Sequence, residues 1–154
     1  MKPSKRLEEL GITLPSVAVP IGSYVPAIRV GTFAYTSGQV PFRDGKLIRA
    51  GKVPGDLSLA DAADGARISA LNAIAAIAGI VGGVDNIVRI VRVCVYVNSS
   101  PGFTDQPKVA NGASDLLFQI FGEAGRHARS AVGVSELPVN AAVEVEVMAE
   151  IASV

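Results

Sequence analysis

From Ala142 to Ile151 apolar and polar positions alternate: Val143, Val145 and Val147 fall on one side, and Glu144, Glu146, Met148 and Glu150 on the other. That period of two predicts a strand with one buried face. Ile87 to Val97 is almost continuously β-branched, which predicts an interior strand buried on both faces. Arg129 to Val134 predicts another strand, separated from the last by a Leu137-Pro138 turn. Nearer the start, β-branched residues gather between Val17 and Val40 and break at Gly31. Two strands follow from this, Tyr24–Val30 and Phe33–Val40, joined by a tight turn. Arg43-Asp44-Gly45 reads as a further turn, with Leu47-Ile48 returning as a short strand.

Helical patterns lie between these strands. Ser58-Leu59-Ala60-Asp61 resembles a capping box and opens an alanine-rich helix that runs to about Val81, where Gly82-Gly83 stops it. Lys108 to Phe121 predicts a second helix with Leu116, Leu117, Ile120 and Phe121 as its apolar stripe. Lys2 to Leu10 predicts a short amphipathic helix, making residues 1–15 an N-terminal helical extension. Asn98 to Pro107 reads as a polar loop. The order is β-β-α-β-α-β-β in a single domain over residues 1–154. Helices that separate strands imply crossovers, hence an α+β fold whose mixed sheet carries both helices on one face. The other face is left without a cover, either solvated or closed by another subunit.

Composition narrows the picture. The 154 residues are 49% hydrophobic and 18% charged, with a mean hydropathy of +0.41, so the chain can bury a core. Lys and Arg together number 14, as do Asp and Glu. A net charge of zero argues against nucleic-acid binding, which rests on clustered cations neutralising phosphates. It leaves room for a small anion pocket. The lone Cys94 cannot form an intramolecular disulfide and, among valines, is expected to be a small buried hydrophobe. No Cys/His cluster has metal-ligand spacing, so no metal is expected. The charged N-terminus has no apolar signal core, and the most apolar run, Ala70 to Val84, is shorter than the ~20 residues of a bilayer span. The expectation is a cytoplasmic protein without membrane association.

Candidate chemistry is sparse. Arg126, His127 and Arg129 cluster ahead of one strand, and Glu144 and Glu146 share a face of the next. An antiparallel neighbour would bring the arginine and a glutamate close enough to pair. Such a pair is either a structural ion pair, or a guanidinium fork gripping a carboxylate beside a proton acceptor. His127 is expected at a surface or interface, and its neutral-range titration makes it a candidate proton carrier.

Tyr35-Thr36-Ser37-Gly38-Gln39-Val40, Ala128-Arg129-Ser130-Ala131-Val132, Leu137-Pro138 and Val143-Glu144-Val145-Glu146 closely resemble the Rid family. These are the YjgF-like reactive intermediate deaminases, earlier known as translation inhibitors or endoribonucleases of the L-PSP type. The chain looks most like a longer branch, marked by Phe103–Lys108 and Gly122–Ser130. The resemblance implies a chorismate-mutase-like fold and a homotrimer with ligand sites in the clefts between subunits. It also implies hydrolysis of 2-imino acids to 2-oxo acids and ammonia without metal or organic cofactor. By matching motif, Arg129 would clamp the substrate carboxylate and Glu144 would polarise the attacking water or shuttle its proton. The Ala131 backbone would orient water or substrate, and Tyr24, Ser37 and Asn111 would line the pocket. Gly38 would let backbone approach the ligand. Deaminase members commonly carry cysteine where this chain has Ala131. The alternatives are a non-catalytic trimer that binds a small carboxylate, and RNA cleavage, against which zero net charge and few aromatics count.

Overall fold

A computed structural model describes residues 1–17, 19–20 and 22–153. In chain order its elements are α1 (Pro3–Glu9), β1 (Ala27–Val30), β2 (Phe33–Thr36), β3 (Phe42–Arg43), β4 (Lys46–Leu47), α2 (Leu59–Val81), β5 (Ile87–Asn98), α3 (Gln106–Phe121), β6 (Ala128–Val134) and β7 (Val143–Ile151). Five strands form one mixed sheet in the order β1-β2-β7-β5-β6, and β3 and β4 make a separate small hairpin. Every neighbouring pair in the large sheet is antiparallel except β5 with β6. That parallel pair needs a crossover, and α3 supplies it.

The alternation in β7 places Val143, Val145 and Val147 in the core, where they join Val93, Val95 and Val97 of β5. Small side chains of α2 (Ala66, Ala70, Ala73) and the Leu116, Leu117 and Ile120 stripe of α3 complete that core. Alanine lets the long helix lie close to the sheet. At the start of α2 the Ser58 hydroxyl accepts from the Asp61 amide at 3.1 Å, as the capping pattern predicts. At its end Gly82 takes the left-handed conformation, φ 81°, which glycine adopts without a side-chain penalty. By length and hydropathy α2 could cross a bilayer, but 61% of its apolar stretch is buried inside this domain. The two helices meet tightly at Gly112, where an added Cβ would stand 2.7 Å from the Ala63 carbonyl carbon. At the chain's start, both carboxylate oxygens of Asp85 accept from Ser4, one from its amide and one from its hydroxyl, each at 2.8 Å. They cap α1, and these bonds hold the Asp85 carboxyl below its ordinary range.

Four expectations need correction, the simplest being that the second strand ends at Thr36 rather than Val40. The first strand begins at Ala27 rather than Tyr24; residues 22–24 bend instead. The strand Ile87–Asn98 is buried on one face only, and Val88 on its other face is 50% exposed, because both helices lie on the opposite side. For the same reason Cys94 is half-buried rather than buried: it stands between Ser130 and Glu146 on the uncovered face. That face also presents Ile28, Val30, Tyr35 and Val132, all exposed.

Candidate functional site

Arg129 lies on β6 opposite Val93, so its side chain rises from the helix-covered face. Its Nη1 donates to Asn111 Oδ1 at 2.8 Å and to Ser114 Oγ at 3.1 Å, both on α3. Asn111 and Ser114 are three residues apart and therefore share one helical face. These bonds occupy one end of the guanidinium. Its Nε and Nη2 edge has no acceptor among the described residues, and a parallel pair of N–H groups matches a carboxylate. Arg126, a few residues earlier, is committed elsewhere: its Nε donates to both oxygens of Glu123 at 3.1 and 3.0 Å. Its guanidinium also lies 4.8 Å from the Phe118 ring centre. A cavity of about 260 Å³ is lined by Ser114, Asp115, Phe118, Gly125, Arg126, His127 and Arg129.

His127 is half-buried beside this arginine. Its Nδ1 is 2.7 Å from the Gly125 carbonyl, which can only accept, so Nδ1 carries the proton. Its Nε2 is then an acceptor, 3.0 Å from Ser114 Oγ. Burial lowers its pKa, outweighing the bond to Gly125, and the Arg129 charge lowers it further. The imidazole is accordingly neutral at pH 7.

Glu144 faces the other way. It pairs with Tyr96 across β7 and β5 and stands on the uncovered face. Burial, reinforced by Glu146, raises its pKa above the ordinary glutamate value. Tyr96 donates to Glu146 Oε1 at 2.8 Å, and mainly that bond pushes the phenol up to about 12. Gly38 abuts the Glu144 carboxylate; an added Cβ would lie 2.7 Å from Glu144 Cδ. A larger residue at position 38 would therefore displace the Glu144 carboxylate. A cavity of about 790 Å³ is lined by Tyr24 and Gly38 together with Leu14, Val40, Phe42 and Leu71.

The remaining expected residues divide between these two places. Ser37 donates its hydroxyl to the Val25 carbonyl at 2.6 Å, closing the bend before β1. Tyr24 is exposed at the cavity rim. Ala131 follows Arg129 on the same side of β6 and packs against the core. The expected closeness of Arg129 and Glu144 does not occur within one chain. Strand β5 separates β6 from β7, and the two side chains rise from opposite faces of the sheet. Ser114 and Tyr96 are not marked for a role by the sequence, and Glu146 is marked there only as a partner for the arginine, not for Tyr96. The i, i+3 spacing of Ser114 from Asn111 is the one signal that could have found it. No group of three His, Cys, Asp or Glu side chains among the described residues is placed to hold a metal ion.

A family profile described as "YjgF/chorismate mutase-like, putative endoribonuclease" matches residues 4–151. The chain belongs to the YjgF, or Rid, family. Among YjgF relatives, Protein TCP17 of Trypanosoma cruzi is 43% identical over 146 residues, 94% of this chain and 91% of the relative. A crystal structure of a "putative endoribonuclease" from Shewanella oneidensis is 37% identical, with a TM-score of 0.94 over 98% of this chain and 100% of that one. The structure of E. coli TdcF with bound serine is 25% identical, with a TM-score of 0.60 over 90% and 94%. Within the YjgF fold this chain is thus shaped far more like the Shewanella protein than like TdcF.

Proposed function

We propose that the chain is a cofactor-independent deaminase hydrolysing small 2-imino or enamine carboxylic acids to 2-oxo acids and ammonia. The reading has Arg129 of one copy and Glu144 of a neighbouring copy meet in a cleft of a homotrimer. The observation that carries it is the free Nε and Nη2 edge of Arg129, held in place from its other end by Asn111 and Ser114. The serine bound to TdcF supports a small amino-acid-like carboxylate as the ligand class. The apolar side chains on the uncovered sheet face support closure by other copies, since exposed apolar patches mark association surfaces.

In this reading the carboxylate lies along the guanidinium edge and the imine carbon faces the neighbouring copy. Glu144 takes a proton from water as its oxygen bonds to that carbon. That proton passes to nitrogen, giving a carbinolamine. The new hydroxyl then yields its own proton through Glu144 to the amine, and as the C=O bond forms the C–N bond breaks, so that ammonia leaves a 2-oxo acid. A base whose pKa is raised accepts the water's proton more readily near neutral pH than an ordinary glutamate. Its basic form is lost as pH falls through that raised value, so turnover is expected to decline earlier on the acid side than for an unperturbed glutamate.

The test is hydrolysis of 2-iminopropanoate and 2-iminobutanoate, freshly generated by an amino-acid oxidase with semicarbazide competing for the imine. Acceleration is expected, with kcat in Glu144→Gln reduced by roughly 10²–10⁴ and KM little changed. No acceleration by folded protein that still binds 2-oxo acids would leave a carboxylate-binding assembly. Cleavage of RNA would favour the activity in the family's description, against which the absence of net charge counts.

A further inference from the structure

The Arg129 side of the molecule contains a second arrangement, centred on the Ser114–His127 pair, whose proton chemistry imine hydrolysis does not call on. The Ser114 hydroxyl sits between two groups of opposite demand. Arg129 Nη1 donates to its oxygen at 3.1 Å, and His127 Nε2 lies 3.0 Å away with a lone pair to receive its proton. The His127 ring is held in that tautomer by its 2.7 Å bond to the Gly125 carbonyl. A glycine is demanded there, because a Cβ on Gly125 would fall 2.7 Å from the Leu117 carbonyl carbon. The turn thus packs against the end of α3, the helix that carries Ser114. A nucleophile bonded to a base, and a base bonded to an orienting group, form the core of the constellation of serine acyl transfer, and the free edge of Arg129 stands beside them as a donor for a developing oxyanion. All of them line one cavity of about 260 Å³, enough for a small acyl group.

We propose that Ser114 is a nucleophile activated by His127, which accepts the acyl group of small activated esters and releases it to water. Ser114 Oγ bonds to the ester carbonyl carbon while its proton moves to His127 Nε2. The negative charge that develops on the carbonyl oxygen faces the Arg129 guanidinium. The C–O bond to the alcohol breaks and the alcohol departs with the proton from His127. Water, deprotonated by the same imidazole, then cleaves the acyl-serine to a carboxylic acid and restores the hydroxyl. Three charged side chains share the cavity with the imidazole: Arg129 from β6, Arg126 from the preceding turn and Asp115 from α3. Burial of the ring, helped by the Arg129 charge, disfavours a protonated His127, so the base form persists at neutral pH.

The experiment uses p-nitrophenyl acetate as substrate and a fluorophosphonate as a trapping probe on the full-length protein. Expected are release of p-nitrophenol and a single phosphonate adduct, located by peptide mass spectrometry at Ser114. Ser114→Ala loses both, whereas Ser130→Ala, on the opposite face of the sheet, keeps both. His127→Gln is expected to label at least ~100-fold more slowly, the contribution of a positioned general base. Wild-type protein that gains no mass at millimolar probe would overturn the proposal without recourse to any variant. So would an adduct that survives in Ser114→Ala, or labelling at Ser114 that His127→Gln leaves at the wild-type rate. These readouts do not involve imines, so they stand or fall separately from the deaminase reading.

Discussion

Arg129→Ala is expected to cost the protein almost all of its affinity for pyruvate and 2-oxobutanoate while the fold survives. The guanidinium is held from one end by Asn111 and Ser114, so its free edge is presented in a set orientation rather than searched for by a flexible side chain. Truncating one member of a charged, hydrogen-bonded contact typically costs about 2–5 kcal/mol, or roughly 30-fold to several thousand-fold in Kd. Titration calorimetry would read this directly, with far-UV circular dichroism confirming the fold. Arg129→Lys is expected to rescue little, because an ammonium cannot present two parallel donors. A Kd unchanged in the alanine variant would place the carboxylate elsewhere.

Gly112→Ala is expected to produce the largest loss of stability from a single methyl group. The added carbon would press on the backbone carbonyl of Ala63, not on a side chain that could rotate away. The helices α2 and α3 would have to separate, and with them the apolar side chains of both helices that form the core. Overpacking commonly costs 1–3 kcal/mol and more where backbone must shift, so a loss of about 3 kcal/mol is expected. For a chain of this size that lowers Tm by roughly 6–12 °C. A Tm within a degree of wild type would mean that the helices tolerate a wider spacing.

Local signals carried much of the fold. The alternation in β7, the Ser58 cap and the Gly82 stop each depend on neighbours within a few residues, and each appears where the pattern places it. The side-by-side arrangement of strands does not depend on neighbours. Nothing in Arg129–Val134 or Ala142–Ile151 states that a third strand lies between them, yet that interposition separates the arginine from the glutamates. Cys94 and Val88 were misjudged for a related reason: β-branched residues suit a strand whether its second face is covered or bare, and here the helices cover one side only. The family motifs named Arg129 and Glu144. They were silent on Ser114 and on the His127 tautomer, because both depend on how the 122–125 turn packs against α3.

The placement of Arg129 and Glu144 on opposite faces of one sheet has a genetic consequence. If each cleft draws its cation from one chain and its carboxylate from another, no chain owns a cleft. A chain that has lost only the arginine and a chain that has lost only the glutamate are then both inactive alone, but not for the same reason. Assembled together, they would create some clefts damaged on both sides and others that are wholly intact. Two defective alleles could therefore complement each other in a single cell, whereas two different lesions in the same half could not.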